Sequence, residues 1–548
     1  MANTGLLVLS NPSKVRKILP VIGDHVLKTL YVQYFPDKNG LFSNNHSGSA
    51  TKFNRPGSCY AQTVANIYAV ASALKTSSQQ QQCRRQQPLD VRVLLTAIKN
   101  SSRSVIDTKK PVELVIFDQD YGKNEVDTFV RDRLGNASAG CKFMVMENDQ
   151  DQEIPDCDSC SPVQDGVKVY KNVVLGGTFD RLHEGHKILL SEAVLRCSDK
   201  LTVGVTDTNM LKGKILWELI EPCTKRIENL RDFLEDVDPL TRYDLVPITD
   251  IYGPTAWDPN LEFMVVSEET IRGGKKVNDL RESKGLNPLE IHVVKLAEDL
   301  NHGEHEEAKI SSSNQRMRLL GTRLKERTRL SSEDGRPTKP YIIGLTGGIA
   351  SGKSSVALKL QSLGAALVNC DKIAHDLYEP GERCFELVVE NFGKSILKED
   401  GTINRKALGK VVFSNEEQLN KLNNAVWPAI LDEARKQIDR HYHDGSHVIV
   451  MEAAVLIQAK WQFVCHEIWT CIIPLEETIR RVIERDSMTE AEARLRIQAQ
   501  PSNLEQVEQA TVVFSTMWSH SATMQQVQTA WNELNDFLTG PQTDSPTS

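Results

Sequence analysis

Tyr341-Ile-Ile-Gly-Leu-Thr-Gly347-Gly348-Ile349-Ala350-Ser351-Gly352-Lys353-Ser354-Ser355 carries the fold in its own spacing. Its first six residues are an apolar run of buried-strand type, and the next eight match G-x-x-x-x-G-K-[ST]. The stretch 356–363 that follows has a helical pattern. Strand, glycine turn and helix in that order make a phosphate cradle. The glycines let successive backbone N–H groups point into one concavity, and the helix N-terminus favours an anion there. The whole turn from Gly347 to Ser355 is therefore expected to hold the phosphates of ATP. Lys353 supplies a point charge for the β and γ phosphates, and Ser354 offers its hydroxyl to Mg2+.

Working outward, the apolar run 365–368 reads as the second strand of this domain, with Asp371 at its carboxyl end. A carboxylate there can take the proton of a substrate hydroxyl as a phosphoryl group moves. The competing reading is that Asp371 caps the helix that starts near 373. Further runs at 448–451, 468–473 and 512–514 complete a βα series. Arg480, Arg481, Arg485 and Arg496 lie in a helical, charge-rich segment, and Arg485 and Arg496 are the arginines expected to neutralise the transferring phosphoryl group.

The segments Gly344 to Ser354, Cys370-Asp-Lys-Ile-Ala-His375, Arg485-Asp-Ser-Met-Thr-Glu-Ala-Glu-Ala-Arg494 and Arg496-Ile-Gln-Ala-Gln500 together resemble dephospho-CoA kinase over 341–538. There are departures. The family's Asp-Ala-Asp stands here as Asn369-Cys370-Asp371, its His-Pro as Trp427-Pro428, and its Asp-Pro-Leu-Leu as Glu452-Ala-Ala-Val455. They bear on the acceptor pocket more than on the phosphate chemistry.

Upstream, short apolar runs at 173–175, 201–206, 245–248, 263–267 and 291–296 alternate with helical stretches such as 187–197 and 224–234. This repetition predicts a parallel, doubly wound sheet. The first run leads into Gly176-Gly177-Thr178-Phe179-Asp-Arg-Leu-His183-Glu-Gly185-His186. Two imidazoles three residues apart fit an exposed helix face or a metal pair as well as a phosphate site. The full segment, however, resembles the nucleotidyltransferase superfamily, and Ile310-Ser311-Ser312-Ser313-Asn-Gln-Arg316 resembles that family's second phosphate-binding element. The resemblance implies that His186 stabilises charge at the α-phosphate and that Thr178 orients the attacking phosphate. Gly176, Gly177, Phe179, His183, Ser311, Ser312, Ser313 and Arg316 would bind ATP. Lys214, with Lys212 as its rival, matches a phosphate-binding lysine, and Arg272 is a further contact.

A phosphopantetheine adenylyltransferase-like domain directly before a dephospho-CoA kinase-like domain resembles the bifunctional CoA synthases of animals. That resemblance implies 4'-phosphopantetheine, dephospho-CoA and ATP as the bound molecules. The expected fold is α/β, with two doubly wound parallel-sheet domains in tandem, a nucleotidyltransferase Rossmann-like one and a P-loop kinase, behind an α/β N-terminal region. The expected divisions are 1–150 with no chemical motif, a linker at 151–168, the two domains at 169–324 and 341–538, a linker at 325–340 and a tail at 539–548. A scaffold with one inactive catalytic half is the alternative from another class.

Composition agrees with globular material, with 548 residues, 40% of them hydrophobic and 25% charged. A net charge of -8 gives no support to nucleic-acid binding. The 11 cysteines are odd in number and scattered, and Cys157 and Cys160 lack further metal ligands nearby, so a solvated linker is the expectation there. Residues 77–87 are glutamine-rich and read as a surface loop or a disordered insert. The first 23 residues carry Lys14, Arg16 and Lys17 among apolar runs and have no acid before Asp24. They read equally as a mitochondrial targeting or peripheral membrane-association segment and as an ordinary first strand and helix, which leaves the compartment open between cytoplasm and mitochondrion.

Overall fold

The computed structural model describes residues 1–35, 58–77, 89–99, 105–146, 168–327, 339–413 and 415–540. The glutamine-rich loop, Cys157, Cys160 and almost all of the expected tail lie outside these. Two compact units divide the chain, Met1–Gln315 and Arg316–Ser548. Among the described residues they contain three five-stranded sheets, each wholly parallel.

The first sheet comprises β1 (Ala2–Leu9), β2 (Val26–Tyr34), β3 (Asp90–Val93), β4 (Val112–Phe117) and β5 (Ala137–Val145), in the order β3-β2-β1-β4-β5. Leu6, Leu7, Val8 and Leu9 of the central strand are completely buried. The helix Val15–Ile22 buries Val15, Ile18, Leu19 and Ile22, an i, i+3, i+4, i+7 stripe facing the same core. Of the two readings of the first 23 residues, the structure therefore has the ordinary strand and helix. Leu6 to Leu9 and the helix stripe are spent on the sheet's interior, whereas Val21 of the same helix is 42% exposed. Among the described residues, no helix is long and apolar enough to cross a membrane.

The second sheet comprises β6 (Tyr170–Gly177), β7 (Cys197–Thr206), β8 (Arg242–Ile248), β9 (Phe263–Ser267) and β10 (Glu290–Val294), in the order β10-β9-β6-β7-β8. This is the winding of the first sheet again. The first strand lies at the centre, the next two build outward on one side, and the last two build on the other. The crevice where the direction reverses lies between β6 and β9, and between β1 and β4 in the first sheet. The two crevices differ at their carboxyl ends. In the first sheet the Ser10 N–H, Asn11 N–H and Ser10 hydroxyl all donate to Asp118 Oδ2, at 2.7, 3.0 and 2.9 Å. Asp118, just past β4, is 1% exposed, so these amides are already taken by a carboxylate of the chain itself.

The two sheets share a core. Leu7, Val32, Tyr68 and Val93 belong to the same buried cluster as Ile188, Leu190, Val194 and Phe233. A backbone bond, Leu95 N–H to Val237 O at 2.9 Å, joins the two sheets' elements.

The third sheet comprises β11 (Tyr341–Gly347), β12 (Ala366–Asn369), β13 (Val448–Glu452), β14 (Glu467–Ile472) and β15 (Val512–Ser515), in the order β12-β13-β11-β14-β15. The phosphate-loop strand is again central, and every residue of it is buried. Residues 321–324 run beside β15, with Gly321 N–H donating to Val513 O and Leu324 N–H to Thr511 O.

Candidate active sites

At the end of β6 the chain turns sharply. Phe179 and Arg181 hold φ of 52° and 46°, a left-handed conformation that non-glycine residues keep only when surroundings enforce it. A Cβ on Gly177 would stand 3.0 Å from the Phe179 ring, so the buried ring itself demands glycine there. Thr178 is held from two sides. Its hydroxyl oxygen accepts from Thr206 at 3.1 Å, and its carbonyl accepts from the buried Arg226 Nη1 at 2.6 Å. Asp180 is fully buried and accepts the Glu221 N–H at 3.0 Å.

His183 caps the helix Glu184–Leu195, which starts three residues earlier than its apolar pattern suggests, and its Nδ1 accepts the His186 N–H at 3.4 Å. The His186 ring stacks on His183 with centroids 3.7 Å apart and lies 5.3 Å from the Phe179 ring. Burial pushes the His186 imidazole down to about 4, against the pull of Asp180 and Glu184 and with the Lys214 ammonium adding to the depression. The ring is therefore uncharged at neutral pH, and its Nδ1 is buried with no hydrogen-bond partner among the described residues. An unpaired buried ring nitrogen is costly, which marks it as a group held for a substrate.

Ser312 closes the other side, its hydroxyl donating to Asp180 O at 3.1 Å and standing 3.4 Å from His183 Nε2. Ser311 Oγ accepts the Asn314 N–H, Ser313 follows in the first turn, and Arg316 is buried on the same helix, Ser312–Arg318. Lys214 is exposed on the loop after β7, and Arg272 is exposed at the start of the helix after β9. Lys214, unlike Lys212, is among the charges His186 feels. The sequence pointed to Thr178 and His186 but passed over Asp180 and Arg226, which fix the turn beneath them. An acid and an arginine within apolar surroundings were the available signal.

In the third sheet, Gly347 ends β11 and the turn runs through Ala350 at φ 58° and Gly352 at φ 84°. A Cβ on Gly352 would lie 2.6 Å from the Thr516 methyl, so both conformation and space require glycine. Lys353 opens the helix Lys353–Ser362. The Ser354 hydroxyl donates to Glu452 Oε1 at 2.7 Å, and Asn369 Nδ2 donates to Glu452 Oε2 at 2.8 Å. Ser355 accepts from Lys359 Nζ, and the Ile349 N–H donates to Gln500 Oε1 at 2.7 Å. Ser351 Oγ is buried without a partner among the described residues.

The cap of the helix Cys370–Asp376 is Asn369, whose Oδ1 accepts the Lys372 N–H at 2.8 Å. The capping reading of Asp371 is thereby corrected, since the preceding residue does that work. Asp371 is exposed, accepts the Ala454 N–H at 3.5 Å, and lines a cavity of about 170 Å³ with Cys370, Tyr378, Val426, Trp427 and Trp461. Glu452, seen in the sequence only as a departure from a motif, is 1% exposed at the end of β13 beside the phosphate turn. An acid directly after an apolar run was the signal for it. Serine hydroxyl and carboxylate form a hard-oxygen pair that suits Mg2+, an ion held through one or two carboxylates and the substrate's phosphates. Arg485 and Arg496 both pair with Asp486, at 2.8 and 3.2 Å. Arg481, passed over by sequence, is the arginine that touches the turn, reaching Ala350 O at 3.4 Å and Thr516 Oγ1 at 2.8 Å.

Such geometry defines a class: a phosphate-loop domain with a carboxylate facing an acceptor cavity, preceded by a sheet whose first turn carries paired imidazoles. Comparison with known proteins narrows it. The profile of the dephospho-CoA kinase family matches residues 341–519, and that of the cytidylyltransferase-like family matches 174–318. The dephospho-CoA kinase of Carboxydothermus hydrogenoformans is 43% identical over 188 residues, covering 34% of this chain and 91% of the relative. That of Shouchella clausii is 37% identical over 188 residues, covering 34% of this chain and 95% of the relative. A solved dephospho-CoA kinase from Campylobacter jejuni is 24% identical, with a TM-score of 0.29, covering 36% of this chain and 98% of that one. Through its third sheet the chain belongs to the dephospho-CoA kinase family. A cytidylyltransferase-like region followed by this kinase region matches the arrangement of a bifunctional CoA synthase.

Proposed function

We propose that the chain makes coenzyme A in two ATP-dependent steps. In the first, a phosphate oxygen of 4'-phosphopantetheine attacks the α-phosphorus of ATP, the bond to the β-phosphate breaks, and dephospho-CoA and pyrophosphate form. Thr178 orients the attacking phosphate. His186, uncharged because it is buried, donates a hydrogen bond to the oxygen on which charge develops. His183, Ser311, Ser312, Ser313, Arg316, Lys214 and Arg272 bind the phosphates of ATP.

In the second step the ribose 3'-hydroxyl of dephospho-CoA attacks the γ-phosphorus of another ATP, and ADP leaves. Asp371 takes the hydroxyl proton, Lys353 and the amides of 347–355 hold the phosphates, and Arg481, Arg485 and Arg496 line the segment that closes over them. Ser354 and Glu452 would hold Mg2+, which would supply positive charge to the phosphates.

One observation carries the reading: a buried neutral imidazole stacked on His183 at the turn after β6, in the same chain as a domain of the dephospho-CoA kinase family. Incubation with 4'-phosphopantetheine and MgATP, followed by mass spectrometry, tests it. Lys353→Met should accumulate dephospho-CoA, and His186→Ala should slow formation of the adenylylated product by roughly two to three orders of magnitude. CoA formed undiminished by either variant would overturn the reading.

A further inference from the structure

The first sheet has the winding of the second but no catalytic motif, and Asp118 takes the Ser10 and Asn11 amides at its crevice. Its contribution is visible at the shared core. Lys187 directly follows His186 in the first turn of the helix Glu184–Leu195, and its N–H donates to His183 O at 3.0 Å. Its side chain is 3% exposed and points away from the nucleotide turn into the neighbouring sheet. There the ammonium donates to Asp90 Oδ1 at 2.6 Å and to Val91 O at 2.9 Å, both on β3. Glu184 stands 3.7 Å away, and the Tyr68 and Phe233 rings lie 5.9 Å to either side. Asp90 also accepts from Arg92 at 2.8 Å, and Arg92 is tied in turn to Asp232 and Asp236, each at 2.7 Å. A buried ammonium needs a matched counter-charge, and the nearest one comes from the first sheet.

We infer that Asp90 is a positioning residue for adenylyl transfer: by pairing with Lys187 it fixes the helix turn that carries His183 and His186. The first sheet thereby serves the second as a brace. The pair holds the turn in place because a carboxylate against an ammonium is directional as well as attractive, and Val91 O takes a second of the three ammonium protons. Burial opposes ionisation of Asp90, but the Lys187 ammonium and then the Arg92 guanidinium outweigh it and hold the carboxyl well below its usual range. The Asp90 carboxylate therefore keeps its charge at neutral pH. Displacement of a catalytic group by about 1 Å costs roughly a hundredfold in rate, so a loosened turn should show in the chemical step rather than in substrate affinity.

This inference rests on the adenylyl-transfer reading, and the full-length chain tests it. In Asp90→Asn, kcat for adenylyl transfer should fall at least about tenfold while KM for ATP changes less than about threefold. Phosphorylation of added dephospho-CoA should stay at the parent rate, since the kinase site shares no residue with this pair. The conservative variant Asp90→Glu, which keeps a carboxylate for Lys187, should stay within about threefold of the parent. Hydrogen exchange of amides 184–190 should quicken in Asp90→Asn and stay near the parent's in Asp90→Glu. Adenylyl transfer by Asp90→Asn within about twofold of the parent would overturn the inference, as would an Asp90→Glu variant no better than Asp90→Asn. Should Asp90→Asn fail to fold, the double variant Asp90→Asn with Lys187→Met decides: a loss of about tenfold there with the kinase intact upholds the brace, and transfer within about twofold of the parent overturns it. If the parent transfers no adenylyl group to 4'-phosphopantetheine, the functional reading fails, while the exchange pattern still reports on the pair.

Discussion

The two candidate sites sit at the same place in their sheets, the turn after the central strand, yet present different groups to a ligand. After β11 the work falls to backbone, with left-handed Ala350 and Gly352 turning amides inward beside Lys353. After β6 it falls to side chains, two stacked imidazoles and a threonine, held by a second layer of Arg226, Asp180 and Lys187. Amides need only the turn, so that site keeps its shape although Asn369 and Glu452 depart from the family pattern around it. Imidazoles need correct protonation and orientation, so the other site depends on residues well outside it.

The largest expected effect tests the backbone side of this contrast. Lys353→Met should slow phosphorylation of dephospho-CoA by roughly a thousandfold and leave adenylyl transfer at the parent rate, both followed by product mass. Loss of both activities would mean that the sites are not independent. Next, His186→Ala should cost roughly two to three orders of magnitude in adenylyl transfer with the kinase intact, the size seen when one charge-stabilising donor is removed. Smaller again, Asp371→Asn should lower kinase kcat by roughly a hundredfold with little change in KM for ATP, the signature of a lost proton acceptor.

The smallest effect is also the sharpest discriminator. Because burial holds His186 near 4, adenylyl transfer should show no break at the ordinary imidazole value near 6.5 and should decline only as pH approaches about 4. Stability follows from the same shift. Between about 6.5 and 4 the unfolded chain binds a proton that the folded chain refuses, so this histidine lowers stability as pH falls through that window. Urea titrations of the parent and of His186→Gln across this range should diverge at the acid end, with the parent losing more. Parallel curves would mean that the imidazole is not held uncharged.

Much of this architecture was legible in the sequence. The α/β class and the two nucleotide turns follow from motifs whose spacing permits little but a strand-to-helix junction. β5 was not read, because its residues are mostly exposed or half-exposed and show no apolar alternation. Arg481 could not be separated from Arg480 or Arg485, since a helix rich in i, i+4 pairs looks the same whichever arginine turns inward. Glu452 was visible as an irregularity, but its role depends on β13 lying next to β11, a neighbourhood that only the folded sheet supplies. Asp90 and Lys187 carry no local sign of each other across nearly a hundred positions.

Asp118 has a consequence for nucleotide stoichiometry. A carboxylate tethered beside the Ser10 and Asn11 amides competes with any diffusing phosphate for them at an effective concentration of roughly millimolar or above. This sheet should therefore load a triphosphate last of the three. It is folded around an anion of its own making.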